Sequence, residues 1–360
     1  MTNKLVLIGG GFAHLYFLKR LKEGATMDSD VTLLVPDNTY FNRDMLPGLV
    51  EGYYELDQVG VNLVTLASDA GVTVVKGKPL SIDAKQKKVL TDEGEILSFD
   101  VISFDMESAS KDLLFIEDTS RIICPDHYKE IQTISDQKGK TGRVVIVGGG
   151  IAGVELSFSI KAWKTKNQDS GGVIIMNPSS LHNMNQANQS RLKRMVDKAG
   201  IHRVEDEKVE RVEENKIITQ SSNLTFDSLW WMTDSKSPDL YKSSKLPTDE
   251  KGHLLVEDTL QVKQFPFIFG AGESVTVRNF PEMTLNKAIL MKQGNVLFDN
   301  IKGFMQNGEG YRLTPPKRHL SMLSIGDKKL LLCFGSNCIT GHLLWRMKDH
   351  ADRKFMSSFN

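Results

Sequence analysis

Disulfide chemistry is what this sequence has least of. Three cysteines among 360 residues (Cys124, Cys333 and Cys338) are too few for a secreted disulfide scaffold and suit a reducing cytoplasm. No Cys-x-x-Cys pair offers thiol–disulfide exchange, and no His/Cys cluster has zinc spacing, so no metal is expected. Net charge is missing too. The 45 basic side chains balance 45 acidic ones, which removes the electrostatic case for a dedicated nucleic-acid binder. No run of 18 uncharged apolar residues occurs, so no segment is expected to span a bilayer as a helix. The first apolar run starts almost at once, leaving no room for a signal peptide and making the cytoplasm the expected location. The length suggests two or three domains with ample core.

What is present is a pattern that occurs twice. Leu5–Ile8, four apolar residues, run into Gly9-Gly10-Gly11, and helical spacing follows with Leu18 and Leu21 on one face. Strand, glycine turn and helix is the context of a dinucleotide fingerprint. Gly9 permits the tight turn, and Gly11 lets the backbone approach a pyrophosphate set against the helix N-terminus. Phe12 and Ala13 follow, and His14 stands where the pattern has its last glycine. Val144–Val147 and Gly148-Gly149-Gly150-Ile151-Ala152-Gly153 repeat the design with the full fingerprint. Two copies imply two nucleotide-binding units in one chain.

The intervening chain reads as short strands. In dinucleotide folds an acidic residue often ends the second strand and binds a ribose hydroxyl. Val35 and Pro36 stand there, with Asp37 just beyond as a candidate for that role or for a turn. The second unit has Met176 and Asn177 at that place. Residues 39–54 are aromatic and glycine-punctuated, and read as a surface loop or as a loop packed on a flat ligand. Hairpins are expected at 88–100 and 208–220, and strands at 72–77, 101–104, 229–232 and 265–269. Helices are expected at Tyr128–Ser135, Leu285–Lys302 and Leu344–Phe355, the last with Met347, Ala351 and Phe355 four apart.

The two fingerprints, the strand-plus-glycine at 265–273 and the helix after it resemble the FAD-dependent pyridine nucleotide-disulfide oxidoreductases, in their type II NADH dehydrogenase and sulfide:quinone oxidoreductase branch. The chain is most similar to the flavoprotein domain found fused to selenide, water dikinase. That domain has the Gly9–His14 pattern, a Met-Leu-Pro-Gly loop (here Met45–Gly48) and a terminal signature carried here by Trp345, Arg346, Lys348, Asp349, Asp352, Arg353, Phe355 and Met356. The resemblance implies an α/β fold of two Rossmann-like, three-layer dinucleotide-binding domains, the second inserted in the first, plus a small C-terminal α+β piece. Residues 1–110 and 250–306 would form the split FAD-binding domain, 111–249 an NAD(P)H-binding-like domain, and 307–360 the C-terminal domain.

By the same resemblance FAD would lie over Gly9, Gly11, Phe12 and Ala13, with His14 at its phosphates or ribityl chain or merely replacing a packing glycine. Met45, Leu46 and Pro47 would flank the flavin ring, and Gly272 and Glu273 would stand where an acidic residue holds FAD. NADH would use Gly148, Gly150, Ile151, Ala152 and Gly153. Glu155 would stand on the nicotinamide side and Gln293 would face flavin and quinone, as the two catalytic candidates. The implied activity passes electrons from NADH through flavin to a quinone-like acceptor. The implied partners include a peripheral contact of the C-terminal helix with the inner face of the membrane (through Leu343, Leu344, Trp345 and Phe355) and a homodimer. Two other readings stay open. Sulfide:quinone chemistry would need Cys124 and one C-terminal cysteine near the flavin. A scaffold or sensor without turnover is favoured by Glu107, Asp234 and the missing ribose carboxylates.

Overall fold

The computed structural model describes residues 2–107, 109–110, 122–124, 131, 134, 139–148, 150–177, 184–232, 235–306, 308, 310–315 and 320–359. Leu5, Leu7 and Ile8 are fully buried because the strand Asn3–Ile8 has parallel neighbours on both sides, Ser29–Val35 and Val101–Phe104. An unbroken apolar run is what a strand covered on both faces requires. The sheet order is Gln261–Val262, Phe265–Gly270, Val101–Phe104, Asn3–Ile8, Ser29–Val35, Thr73–Lys76, with only the first of these antiparallel. The second sheet repeats the arrangement in parallel strands: Ile122–Ile123, Ser228–Trp231, Val144–Val147, Val173–Met176, His202–Val204. This is the expected α/β class with two Rossmann-like units, and both expected hairpins form.

Helix Phe12–Lys22 packs on helix Lys287–Met305. The approach is close at Gly294, where a methyl group would press on Tyr16, and Phe17 meets Phe298 at 4.7 Å between ring centroids. Asn286 caps the second helix by accepting the Ile289 N–H, so the helix starts two residues later than the apolar pattern suggests.

Residues 39–54 are structured and not a surface loop, and Tyr40, Asn42, Arg43 and Asp44 within them line a cleft. Thr39–Phe41 pairs with Gly60–Asn62, and Leu46–Val50 is a short helix against helix Ile151–Lys166. Met45, Leu46, Leu49 and Val50 are at most 5% exposed, so the apolar content fills the seam between the two units. Of the expected helix at Tyr128–Ser135, only Ile131 and Ile134 are described, and both are buried. Asp234 and Ser108 also lie outside the described residues.

The C-terminal piece is an antiparallel sheet, Leu320–Ser324, Leu330–Phe334 and Asn337–Gly341, followed by helix His342–Ser357. A two-residue turn at Gly335-Ser336 makes Cys333 and Cys338 direct cross-strand partners, and they form a disulfide with Cα atoms 4.2 Å apart. The terminal helix does not bury Met347, Ala351 and Phe355 together. Trp345, Asp352 and Met356 face inward while Leu343 and Met347 stay 70% and 63% exposed. The expected apolar spacing misses this face because an ion-paired aspartate forms its centre.

Candidate active site

The two glycine turns share two backbone hydrogen bonds. Gly9 N–H donates to Leu34 O (2.9 Å) as Gly148 N–H donates to Met176 O (3.3 Å). Asp105 N–H donates to Ile8 O (2.9 Å) as Met232 N–H donates to Val147 O (2.7 Å). Gly11 therefore matches Gly150, His14 matches Gly153, and Asp105 matches Met232.

His14 is fully buried. Its Nδ1 lies 2.7 Å from Gly9 O, and a carbonyl only accepts, so Nδ1 carries the proton. Nε2 accepts from Ser103 Oγ at 2.8 Å. Burial lowers the pKa to about 4, so the ring is neutral. Of its two expected roles, the geometry gives His14 the packing one. In the second turn only glycine suits the matching place, since a methyl group at Gly153 would overlap Gly148 O.

Asp105 is 2% exposed and fills the space the turn encloses. Its Oδ2 accepts the His14 N–H at 2.9 Å, the Ala13 amide faces the same carboxylate, and its backbone carbonyl accepts from Gly11 N–H at 3.0 Å. Methyl groups built at Gly11 or Gly272 would overlap this carboxylate. The close-approach glycines thus approach a protein side chain. Burial raises the Asp105 pKa to about 6, with the Glu273 charge adding to it.

Outside this plug lies a cavity of about 140 Å³, whose walls include Phe12, Tyr40, Arg43, Glu273 and Lys287. Arg43 bridges Glu107 (3.2 Å) and Glu273 (3.4 Å). The terminal helix packs on two of these wall residues. Phe355 stacks on Phe12 at 5.0 Å, and Lys287 Nζ lies 3.9 Å over the Phe355 ring. Asp352 sits between Lys287 (2.9 Å) and Lys348 (2.6 Å), and Lys348 also donates to Asp44 O.

The structure gathers Gly9, Gly11, Phe12, Ala13, Gly272 and Glu273 around Asp105. Gln293, fully buried, accepts the Gly272 N–H through Oε1 at 3.1 Å, while its Nε2 has no acceptor among the described residues. Met45, Leu46 and Pro47 are not in the cleft wall; they lie in the seam core. Asp37 is exposed beyond the second strand. In the second unit Gly148, Gly150, Ile151, Ala152 and Gly153 form an unobstructed turn: among the described residues nothing lies within 4 Å of a methyl group built at Gly150. Glu155, one turn along that helix, accepts the Ser324 N–H at 2.6 Å, and burial of its carboxyl raises its pKa to about 7. Asn177 is turned toward Glu207, exchanging two hydrogen bonds with its backbone.

Sequence reasoning missed Asp105 and Lys348. The signal for Asp105 was its place: the first residue after the strand that pairs with the fingerprint strand.

The family model described as pyridine nucleotide-disulphide oxidoreductase matches residues 3–290. The chain belongs to that family. Similar proteins include the NADH dehydrogenase-like protein YutJ of Bacillus subtilis, 23% identical over 79% of this chain and 80% of that protein. The demethylphylloquinone reductase NdbB of Synechocystis is 24% identical over 77% of this chain and 72% of that protein. In fold, the sulfide:quinone oxidoreductase of Aquifex aeolicus matches with a TM-score of 0.82 at 15% identity, over 99% of this chain and 91% of that one. NDH2 of Plasmodium falciparum, solved with NADH, matches with a TM-score of 0.75 at 14% identity, over 100% and 98%. The chain is an NADH dehydrogenase-like flavin oxidoreductase, and FAD and NADH are the cofactor and co-substrate of its family.

The cleft in this conformation does not fit FAD. Asp105 holds the amides that would meet the pyrophosphate, and a cavity of about 140 Å³ is below the roughly 300 Å³ at which small-molecule pockets begin. The group nearest the glycine turn that stands in the way is the Asp105 carboxylate.

Proposed function

We propose that this pyridine nucleotide oxidoreductase oxidises NADH and delivers the electrons to a quinone-like acceptor. The observation that carries the reading is the second turn. Among the described residues its helix N-terminus is open at Gly150, the geometry a dinucleotide pyrophosphate requires. The quinone-like acceptor is supported by the name of the Synechocystis relative. The units 1–110 with 250–306, 111–249 and 307–360 are the domains we assign to the two nucleotides and to the acceptor side.

Glu155 and Gln293 keep their roles in this proposal. Glu155, with its carboxyl raised to about 7, can hold or release a proton at neutral pH beside the NADH turn. The charge of Lys348 reaches Glu155, and Lys348 shares Asp352 with Lys287 of the cleft wall. Gln293 fixes Gly272 and keeps one amide N–H to offer.

Among the described residues no helix is long and apolar enough to cross a membrane. Peripheral contact with a cytoplasmic membrane face remains part of the proposal, through a different set of residues. Trp345 is buried and Phe355 is stacked on Phe12, whereas Met322, Phe334, Ile339, Leu343 and Met347 are 46–70% exposed. Of the cysteines that the sulfide:quinone alternative needs, Cys124 lies in the core of the second unit, and Cys333 and Cys338 are bonded to each other beside Asn188.

A second reading, nucleotide binding without turnover, is favoured by one observation, the Asp105 carboxylate in the first turn. The absorption spectrum of the purified protein, followed by anaerobic NADH, separates the two. Flavin bands that bleach support the oxidoreductase, and quinone then restores them. Protein that takes up no flavin from excess FAD overturns the proposed activity.

A further inference from the structure

We infer that Asp105 is an internal ligand of the FAD cleft: its carboxylate occupies the anion position at the N-terminus of helix Phe12–Lys22, and the FAD pyrophosphate must displace it. The inference rests on the proposed flavin-dependent function.

Three observations converge on it. The first is the donor set. His14 gives its N–H to the Asp105 carboxylate at 2.9 Å, Gly11 gives its N–H to the Asp105 backbone carbonyl at 3.0 Å, and the Ala13 amide faces the carboxylate. An anion at a helix N-terminus is held by these amides and by the positive end of the helix dipole, whether it is a phosphate or a carboxylate. The second is shape. Gly11 and Gly272, the latter at φ +80°, approach the carboxylate so closely that any side chain on either would collide with it. The third is the internal control. The matching turn of the second unit has Met232 at this place and, among the described residues, open space at Gly150.

The backbone of Asp105 is held by Ile8 O and by the Gly11 N–H, so displacement is a side-chain rotation and not a strand movement. The rotated carboxylate has to share the cleft with Glu107, Glu273 and Asp44, against Arg43 and Lys287. That crowding of acids opposes release and keeps the plug seated. An incoming FAD therefore has to outcompete a ligand whose effective concentration is set by its own attachment to the chain.

The test is a titration of the full-length chain, stripped of flavin, with FAD and separately with riboflavin, which lacks the pyrophosphate. Asp105→Ala is expected to bind FAD at least about tenfold more tightly than wild type, the weight of charge-assisted bonds no longer displaced. Riboflavin affinity should change by less than about threefold, because it does not seek the anion position. Asp105→Asn keeps the shape but weakens the plug. It should fall between the two, and it carries the test if the alanine variant does not fold. Equal, tight FAD binding by wild type and both variants overturns the inference and leaves the flavin-dependent function standing. Failure of all three proteins to bind FAD overturns both. An equal gain for riboflavin and FAD also overturns it, since the side chain would then be a general obstruction and not an occupant of the phosphate position.

Discussion

The first and second glycine turns share a three-glycine run, a sheet position and two backbone hydrogen bonds, yet one is filled and, among the described residues, the other is open. Gly11 faces the Asp105 carboxylate, whereas Gly150 faces empty space among the described residues. The difference comes from one residue on a different strand, Asp105 against Met232, more than ninety residues from its fingerprint in the first unit and about eighty in the second. A fingerprint therefore specifies the path of the backbone and leaves the occupant of the cradle to the neighbouring strand.

Moving the plug should move the property. Met232→Asp places a carboxylate beside the open turn and should weaken NADH binding by tenfold or more, the scale of a charge-assisted bond made by the wrong partner. Calorimetric titration with NADH measures it, and Met232→Leu should bind as wild type does. An aspartate at 232 with no effect on NADH would break the correspondence between the two turns, because the position would then not command the helix N-terminus.

His14 and Gly153 extend the comparison into stability. His14→Ala removes a buried ring with two hydrogen bonds and should cost about 2–4 kcal/mol. Ser103→Ala leaves Nε2 of His14 without its donor and should cost about 1–2 kcal/mol. Denaturant melts of the two single variants and the double variant measure both losses. The double loss should be smaller than the sum, since the two side chains share one bond. Additive losses would mean that the imidazole is held by packing alone.

What was legible in the sequence was the backbone. Apolar runs ending in glycine marked both sheets, because buried parallel strands have no polar face to confuse the pattern. The occupants were not legible. Met45, Leu46 and Pro47 were expected at a ligand and instead fill the seam between the units, since aromatic and apolar loops suit a core as well as a cofactor. The inner face of the terminal helix was misplaced because Asp352, paired with Lys287 and Lys348, interrupts the apolar spacing. The Cys333–Cys338 bond depends on strand register, which composition does not carry. Asp105 looked like an ordinary residue after a strand, and only the sheet order brings it to a helix ninety residues away.

The smallest effect expected is also the one that weighs the two turns against each other, the dependence of stability on pH. Burial raises Asp105 to about 6 and Glu51 and Glu155 to about 7, all above their ordinary carboxyl values. Such groups favour the folded state when protonated, so their contribution is full at low pH and is lost as pH rises through about 6 to 7. His14 runs the other way. Lowered to about 4, it favours the folded state when neutral, and that contribution fades as pH falls from its ordinary value of 6.5. Three carboxyls oppose one imidazole, so the melting temperature should rise modestly from pH 8 to pH 5. Below about pH 4 it should fall, as ion-paired carboxylates such as Asp197, held low by Arg203, take up protons. Asp105→Asn should flatten the rise between pH 7 and 5, and His14→Gln should steepen it. A wild-type melting temperature that drops from pH 8 to pH 5 would mean that the imidazole outweighs the carboxyls. The first turn would then owe its closure to His14 and not to the carboxylate lodged above it.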